Sequence, residues 1–437
     1  MVSTLKSNIR AALFVHITTL INSFVVGLIL PKFLSVESFG YWQYFAFFSG
    51  CLELLLFGAG TGLYLHFGGK AYEQIDKSMI RHIFFRWLCL AVVLIVVGGV
   101  MIHVIRMDPE KKYIFNILLI GLVVINTGTF FSYILQSTNR IKDNLSTVLL
   151  LNFITIAGFS TLMSFNVTDY SCYISLYIAA HFLRGILILY YNKTVFMNSC
   201  VAYKNERRWN VRPIIQAGMF LMMADYSIYL MFGVGRLFVE NKWGIEVFSK
   251  FSFAMSLTLL MVTFINQIGL VLFPELKKLK YEKMKELIIQ YHKKVDMVLL
   301  SVFILYFAAK EILVFWLPQY EEAVFYFGVL LPLCVFDGRI AMLLNPVLKA
   351  LRKEKQILYI NVSFLLVSSL SFLTLWISGA SIYCYCVLFV LISIGRSFFS
   401  EWIMDRTLSL DFNKRGFVCN LGISSMFYAI LTWEVLK

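Results

Sequence analysis

The sequence predicts an all-α integral membrane protein with about twelve transmembrane helices and a thirteenth apolar window, arranged as two six-helix lobes around a central cavity. Three observations predict it. Of the 437 residues, 59% are hydrophobic and 15% charged, with a mean hydropathy of +0.77, whereas soluble domains are about a quarter charged. The apolar residues fall in windows of about 20, the length that crosses a bilayer, and features of the first half recur in the second. A soluble globule is excluded. So are a low-complexity chain, given 7 Pro and 25 Gly, and a disordered one, given 41 Phe and 23 Tyr.

In chain order the first six windows are Ala11 to Leu30, Tyr41 to Leu65, Trp87 to Ile105, Tyr113 to Leu135, Leu145 to Phe165 and Tyr170 to Tyr191. The second six are Ile214 to Gly235, Val247 to Phe273, Met297 to Leu317, Ala323 to Leu344, Tyr359 to Ile377 and Ser381 to Phe399. The last window, Phe417 to Leu436, is a thirteenth span or an interfacial helix. The expected organisation is a first lobe over residues 1–200, a second over 201–410 and an additional helix over 411–437. The first window is polar in its middle and no small-residue cleavage pattern follows it, so it reads as a retained helix rather than a signal peptide.

Lys and Arg concentrate in cytoplasmic loops. With the N-terminus cytoplasmic, the inward segments hold 28 of the 39 basic residues and the outward loops six. The net charge of +14 is then mainly a property of the cytoplasmic face, and anionic membrane lipids, not nucleic acid, are the implied partners. In one inward segment, LKKLKYEKMKELIIQYHKK places Leu276, Leu279, Met284, Leu287, Ile288 and Tyr291 at helical spacing among lysines. It is expected to lie on the inner leaflet as an amphipathic helix, or to serve as a connector between the halves.

Motif chemistry is sparse. The eight cysteines include no CxxC, the six histidines no HExxH, and there is no Walker lysine loop, GxSxG or Asp-x-Asp pair. The sequence therefore assigns no catalytic residue, metal or cofactor, and points to a secondary transporter or lipid translocator, not an enzyme. A polymerase or ligase on lipid-linked sugars would want a large outer loop, which is missing here, and no ring-forming filter marks a channel.

An internal repeat sharpens this class. Lys32 with Phe39-Gly40 and Arg236 with Trp243-Gly244 are separated by one offset, 204 residues. The fourth span exits through LQSTNRIKDN and the tenth through NPVLKALRKEK, at an offset of 212 between Arg140 and Arg352. Two six-helix halves of equal orientation form a parallel repeat with the substrate path between them.

LPKFLSVESFGYWQYFAFFSG, LQSTNRIKDN and GRLFVENKWGIEVFSKFSFAMSLTLL resemble the polysaccharide-flippase branch of the multidrug/oligosaccharidyl-lipid/polysaccharide exporter superfamily, above all the O-antigen repeat-unit (Wzx-type) flippases of bacterial inner membranes. The resemblance implies alternating access and a substrate of oligosaccharide on undecaprenyl pyrophosphate, moved from the cytoplasmic to the periplasmic leaflet. It also implies a polysaccharide polymerase and chain-length machinery as partners. Many members read Asp-Arg where this chain has Gly235-Arg236, so an ion pair made by that aspartate is missing. A multidrug or cation antiporter of the same superfamily would share the twelve helices, with a narrow acidic cavity in place of a broad cationic one.

In that superfamily the first, second, seventh and eighth spans line the cavity. The resemblance then nominates His16, Asn22, Asn266 and Gln267 as polar lining and Lys32, Arg236 and Lys250 as cations for the pyrophosphate, and the cost of an intramembrane basic residue adds Arg184 and Arg339, deeper on other spans. Glu53 and Asp225 lie near mid-span and are candidates for proton or ion coupling, because a midplane carboxylate must be paired, protonated or hydrated. Plainer readings stand beside these. Thr18 and Thr19 can bond the preceding turn, Asn22 can join helices, Lys32, Lys250 and Arg184 can snorkel to an interface, and Arg339 can pair with a carboxylate in the packing.

Overall fold

A computed structural model of the chain describes residues 14–197, 210–278, 281–408 and 414–436. Every regular element among them is helical. By length and apolarity nine of these helices can cross a bilayer, or eleven when each of two bent pairs counts as one span. The all-α membrane class read from hydropathy is the observed class.

Helix α1 (Phe14–Phe33) contains a π-helical stretch at Val25–Ile29. Helix α2 (Val36–Cys51) tightens into a 3-10 turn at Leu52–Leu56, breaks at Phe57 and Gly58, and resumes as α3 (Ala59–Phe67) at an angle of 57°. Then follow α4 (Lys77–Val104), α5 (Pro109–Ser137), α6 (Ile141–Ser164) and α7 (Tyr170–Tyr191). Short polar residues set the starts. Ser35, Asp76, Asp108 and Asp169 accept backbone N–H bonds from the first turns of α2, α4, α5 and α7, satisfying donors that a helix leaves open.

Helix α8 (Arg212–Lys278) is continuous in hydrogen bonding but broken in backbone at Gly244 (φ 81°, ψ −177°). Its apolar part, Arg212–Asn266, has 55 residues, about 83 Å at 1.5 Å per residue, against about 30 Å of hydrocarbon. It thus holds both apolar windows of that region, one on each side of Gly244. After it come α9 (Tyr281–Trp316), the bent pair α10 (Pro318–Leu330) and α11 (Pro332–Ala350) at 44°, α12 (Glu354–Ile377), α13 (Ile382–Leu408) and α14 (Lys414–Leu436). The lysine-rich stretch expected on the inner leaflet differs from that expectation: from Tyr281 on it is the first part of α9, continuous with the span, with Ile288 buried and Lys283 and Glu286 exposed. Leu279 and Lys280 lie outside the described residues.

The repeat shows in the backbone at the two basic exits. Asn139 (φ 60°) and Arg352 (φ 56°) are both left-handed. The next N–H reaches back five residues in each case, Arg140 to Leu135 O at 2.9 Å and Lys353 to Leu348 O at 2.8 Å, the Schellman closure of a helix end. The aromatic-glycine pairs are not equivalent: Gly40 sits inside α2, whereas Gly244 makes the break. In the first half that break falls at Leu34 and Ser35, both extended.

The chain divides into two compact units, Met1–Met223 and Ala224–Lys437, with the boundary inside α8. In the first, α5 is central and packs on α2, α3, α4, α6 and α7. Helix α4 turns Val92, Val93, Val96, Val97 and Val100 outward, a face suited to lipid. In the second, α13 packs on α10, α11 and α12. Helix α14 belongs to this unit: Phe427 stacks on Phe303 of α9 at 4.6 Å, and Tyr428 donates to Val329 O of α10 at 2.8 Å.

Within the first unit, α3 meets the start of α8 along bare backbone. A Cβ on Gly218 would fall 2.0 Å from Gly58 O and 2.4 Å from Gly62 N, and Thr61 Oγ1 donates to Gly218 O at 2.9 Å. Small residues permit such close approach where hydrocarbon supplies no hydrophobic drive between helices. Gly218→Ala is expected to cost about 1 to 3 kcal/mol through overpacking, read as a lowered unfolding midpoint in detergent. Gly128→Ala, where a Cβ meets nothing within 4 Å, should leave the midpoint unchanged.

Candidate functional site

The α2–α3 break creates the polar site of the first unit. A 3-10 turn and a left-handed Phe57 (φ 49°) remove regular carbonyl partners in mid-span, and hydrocarbon offers no water to replace them. Neighbouring helices supply them instead. Asn126 Nδ2 of α5 donates to Leu52 O at 2.7 Å, and Trp87 Nε1 of α4 donates to Leu55 O at 3.0 Å. Between these carbonyls stands Glu53, part-buried, which accepts a 2.6 Å hydrogen bond from Tyr133 Oη of α5. Arg184 of α7 is within electrostatic range of Glu53 and of Tyr177, and the Tyr177 ring packs against His181 at a tilt of 53°, 4.5 Å between centroids. A carboxylate and a phenol thus meet at a broken helix, with a guanidinium within electrostatic range. That arrangement can hold an ionic or hydroxyl-bearing group in the membrane at low desolvation cost.

The second unit holds a buried ion network at the other bent pair. Pro332 starts α11, and a few residues later Asp337 accepts from Arg396 Nη2 and from Ser393 Oγ of α13, each at 2.6 Å. Arg339, 0% exposed, donates to Glu401 Oε1 of α13 at 2.8 Å and lies 3.7 Å from Asp296 Oδ1 of α9. Asp296 in turn accepts from Asn420 Nδ2 of α14 at 3.1 Å, and Phe417 faces the Arg339 guanidinium at 5.9 Å. Four helices are tied through these charges. Arg396 is buried inside this network, where Asp337 neutralises it.

The residues nominated from sequence are dispersed. Glu53 and Arg184 lie within electrostatic range of one another. His16 is exposed on α1, Asn22 is part-buried, and Thr18 and Thr19 bond Val15 O while accepting from Asn152 of α6. Lys32 is exposed in the last turn of α1, and Asp225 and Asn266 are exposed on α8. Arg236 is part-buried. Lys250 pairs with Glu322 at 2.8 Å, and Arg339 is enclosed by the ion network. The side chain of Gln267 lies outside the described residues. Sequence reasoning passed over Tyr133, Tyr177, His181, Asp337 and Glu401. The one available signal was Asp337 two residues before Arg339, just after a proline in an apolar run.

A family model described as polysaccharide biosynthesis protein matches residues 5–280. No curated protein matches the sequence. Among solved structures, the lipid II flippase MurJ in an inward closed conformation matches with a TM-score of 0.65 at 12% identity, over 97% of this chain and 100% of its own. An inward-facing multidrug resistance transporter of the MATE family, in the MOP superfamily, matches with a TM-score of 0.66 at 14% identity, over 93% of this chain and 96% of its own. An outward-facing MATE structure matches at 0.60 and 13% identity, over 92% and 96%. At these identities the likeness is one of fold.

The ion network generates a stability prediction. Arg339→Leu strands Glu401 in the interior and is expected to cost about 3 to 5 kcal/mol. Arg339→Leu combined with Glu401→Leu should recover more than half of that loss, measured as unfolding midpoints of the purified protein in one detergent.

Proposed function

Because the chain belongs to the polysaccharide biosynthesis protein family, we propose that it is a flippase for undecaprenyl-pyrophosphate-linked oligosaccharide repeat units of O-antigen, capsule or exopolysaccharide. It moves them from the cytoplasmic to the periplasmic leaflet of a bacterial inner membrane by alternating access between lobes of residues 1–200 and 201–410, with residues 411–437 an added helix and the N-terminus cytoplasmic. Membership of that family is the observation that carries this reading. The periplasmic products feed a polysaccharide polymerase and its chain-length machinery.

The physical task explains what such a protein must contain. A sugar hydroxyl taken into hydrocarbon without a partner costs roughly 4 to 8 kcal/mol, so a short oligosaccharide needs a polar path while its lipid tail stays in the bilayer. Lys32, Arg184 and Arg236 serve the pyrophosphate. Lys250 serves less, its charge being matched by Glu322. His16, Asn22, Asn266 and Gln267 serve sugar hydroxyls, and Glu53 and Asp225 serve exchange of a proton or cation when the empty carrier resets. Tyr133 and Arg184 favour Glu53 in that role, because a coupling carboxylate must have partners in one protonation state and tolerate the other.

In reconstituted vesicles the protein is expected to translocate the lipid-linked oligosaccharide, and Lys32→Gln with Arg236→Gln to slow it at least ten-fold, with Lys250→Gln closer to wild type. Dye efflux without oligosaccharide translocation would overturn the flippase reading in favour of an antiporter.

A second prediction follows from charge. The headgroup bears about two negative charges, and each gains roughly 2.3 kcal/mol per 100 mV on moving to the positive side. At about 150 mV this is about 7 kcal/mol, a bias of about 10⁵. A potassium diffusion potential without a pH gradient is expected to drive net outward flipping. Translocation indifferent to the size and sign of the potential would show that charge movement does not bias transport.

A further inference from the structure

We propose that the first unit carries a built site for one anionic phospholipid, its phosphate held by Arg86 and Arg212. A pocket of about 380 Å³ opens beside the α2–α3 break, between α4 and the start of α8. Its walls are Leu56, Phe57, Ile83, Trp87, Leu90 and Ile215, and its polar lining consists of Arg86, Arg212 and Gln216. Both guanidiniums are exposed, and neither has a hydrogen-bond, ion-pair or ring partner among the described residues. Arg140 of the same unit, by contrast, bonds Asp143 and Tyr191 O and stacks on Tyr72.

Two unmatched cations from different helices converging on one apolar pocket define their ligand by chemistry. The head must be a compact anion with several acceptor oxygens, which guanidinium groups bind bidentately. The body must be a hydrocarbon chain, because the wall from Ile83 to Leu90 offers no hydroxyl or amide. The first residue of α8 is Arg212 itself, so the open N–H groups and the positive end of that helix add to the attraction for phosphate. An oligosaccharide-bearing lipid fits this pocket poorly, since Gln216 alone stands beside the arginines to meet sugar hydroxyls. A membrane phospholipid fits throughout, and basic pockets between spans on the cytoplasmic side are where acidic lipid headgroups bind. In the orientation proposed above, this end faces the inner leaflet. The site is separate from the Glu53 cluster and independent of which substrate is moved. Its occupant would brace α4 against α8 next to the Gly58–Gly218 approach.

Native mass spectrometry of the detergent-purified full chain, with phosphatidylglycerol and phosphatidylcholine supplied at equal concentration, tests the site. Retention of phosphatidylglycerol over phosphatidylcholine by at least ten-fold is expected, falling to parity in Arg86→Gln/Arg212→Gln. Arg106→Gln/Lys112→Gln, with the same loss of charge elsewhere, should keep the preference, and so should Arg86→Lys/Arg212→Lys in large part. The lysine pair also separates lost binding from lost folding if the glutamine pair proves unstable. Equal retention of the two lipids by the wild-type chain, or undiminished preference in a folded glutamine double variant, would overturn the proposal. So would retention of undecaprenyl pyrophosphate with none of phosphatidylglycerol, which would make the pocket a substrate port.

Discussion

In hydrocarbon every backbone polar group and every charge must find its partner inside the protein, and this constraint organises both units. A straight apolar helix meets it alone. Where a span bends, carbonyls lose partners, and other helices must reach in to replace them. Asn126 and Trp87 do so at the α2–α3 break, which fixes the positions of α4 and α5 against the bend. At the α10–α11 bend the same need is met with charges, Asp337 and Arg339 of α11 being answered by Arg396 and Glu401 of α13. The two bent pairs are therefore also where Glu53, Asp337 and Arg339 stand. A bend is costly unless polar groups surround it, and polar groups are costly unless something gathers them.

The same constraint separates two uses of arginine. Arg339 sits between Glu401 and Asp296, and Arg396 on Asp337, and each desolvated pair repays its burial only while both members remain. They act as fixed joints, and α14 is held to the second unit through the same joint by way of Asn420 and Asp296. Arg140 is a joint of another kind, clamping the exit of α5 to the end of α7 by a hydrogen bond and to Tyr72 by stacking. Arg86 and Arg212 differ from all of these. They are exposed, adjoin an apolar pocket and have no protein partner among the described residues, which is what a guanidinium kept for an external anion looks like.

The fold was legible because hydropathy is a local quantity. Each apolar window could be read without knowing its neighbours, and the basic exits of the fourth and tenth spans marked helix ends whose left-handed residues, Asn139 and Arg352, share one closure. The aromatic-glycine pairs were a weaker guide, because one glycine lies within a helix and the other breaks one. A glycine states what the backbone is permitted to do, not what it does. The continuity of the lysine-rich stretch with α9 was hidden for a related reason: amphipathic spacing specifies a helix with a wet face, whether it lies along a membrane or projects from one.

The site was less legible because it depends on the rotational phase of helices distant in sequence. Glu53 and Arg184 were visible as charges inside apolar windows, yet nothing local joins positions 53, 133 and 184. Tyr133 is one of 23 tyrosines and becomes distinctive only when α5 turns it toward the break. Asp337, Arg396 and Glu401 were obscured in another way, since a charge in or beside a window names no partner until packing encloses it. Hydropathy thus finds the charges that interrupt a span, while partner geometry decides which of them are joints. A charge enclosed by partners maintains the fold, and one at a break in the helix must be met by a neighbouring polar group. Glu53 stands at such a break with Tyr133, whereas Asp337, Glu401 and Asp296 of the second unit are held by hydrogen bonds that bind four helices together.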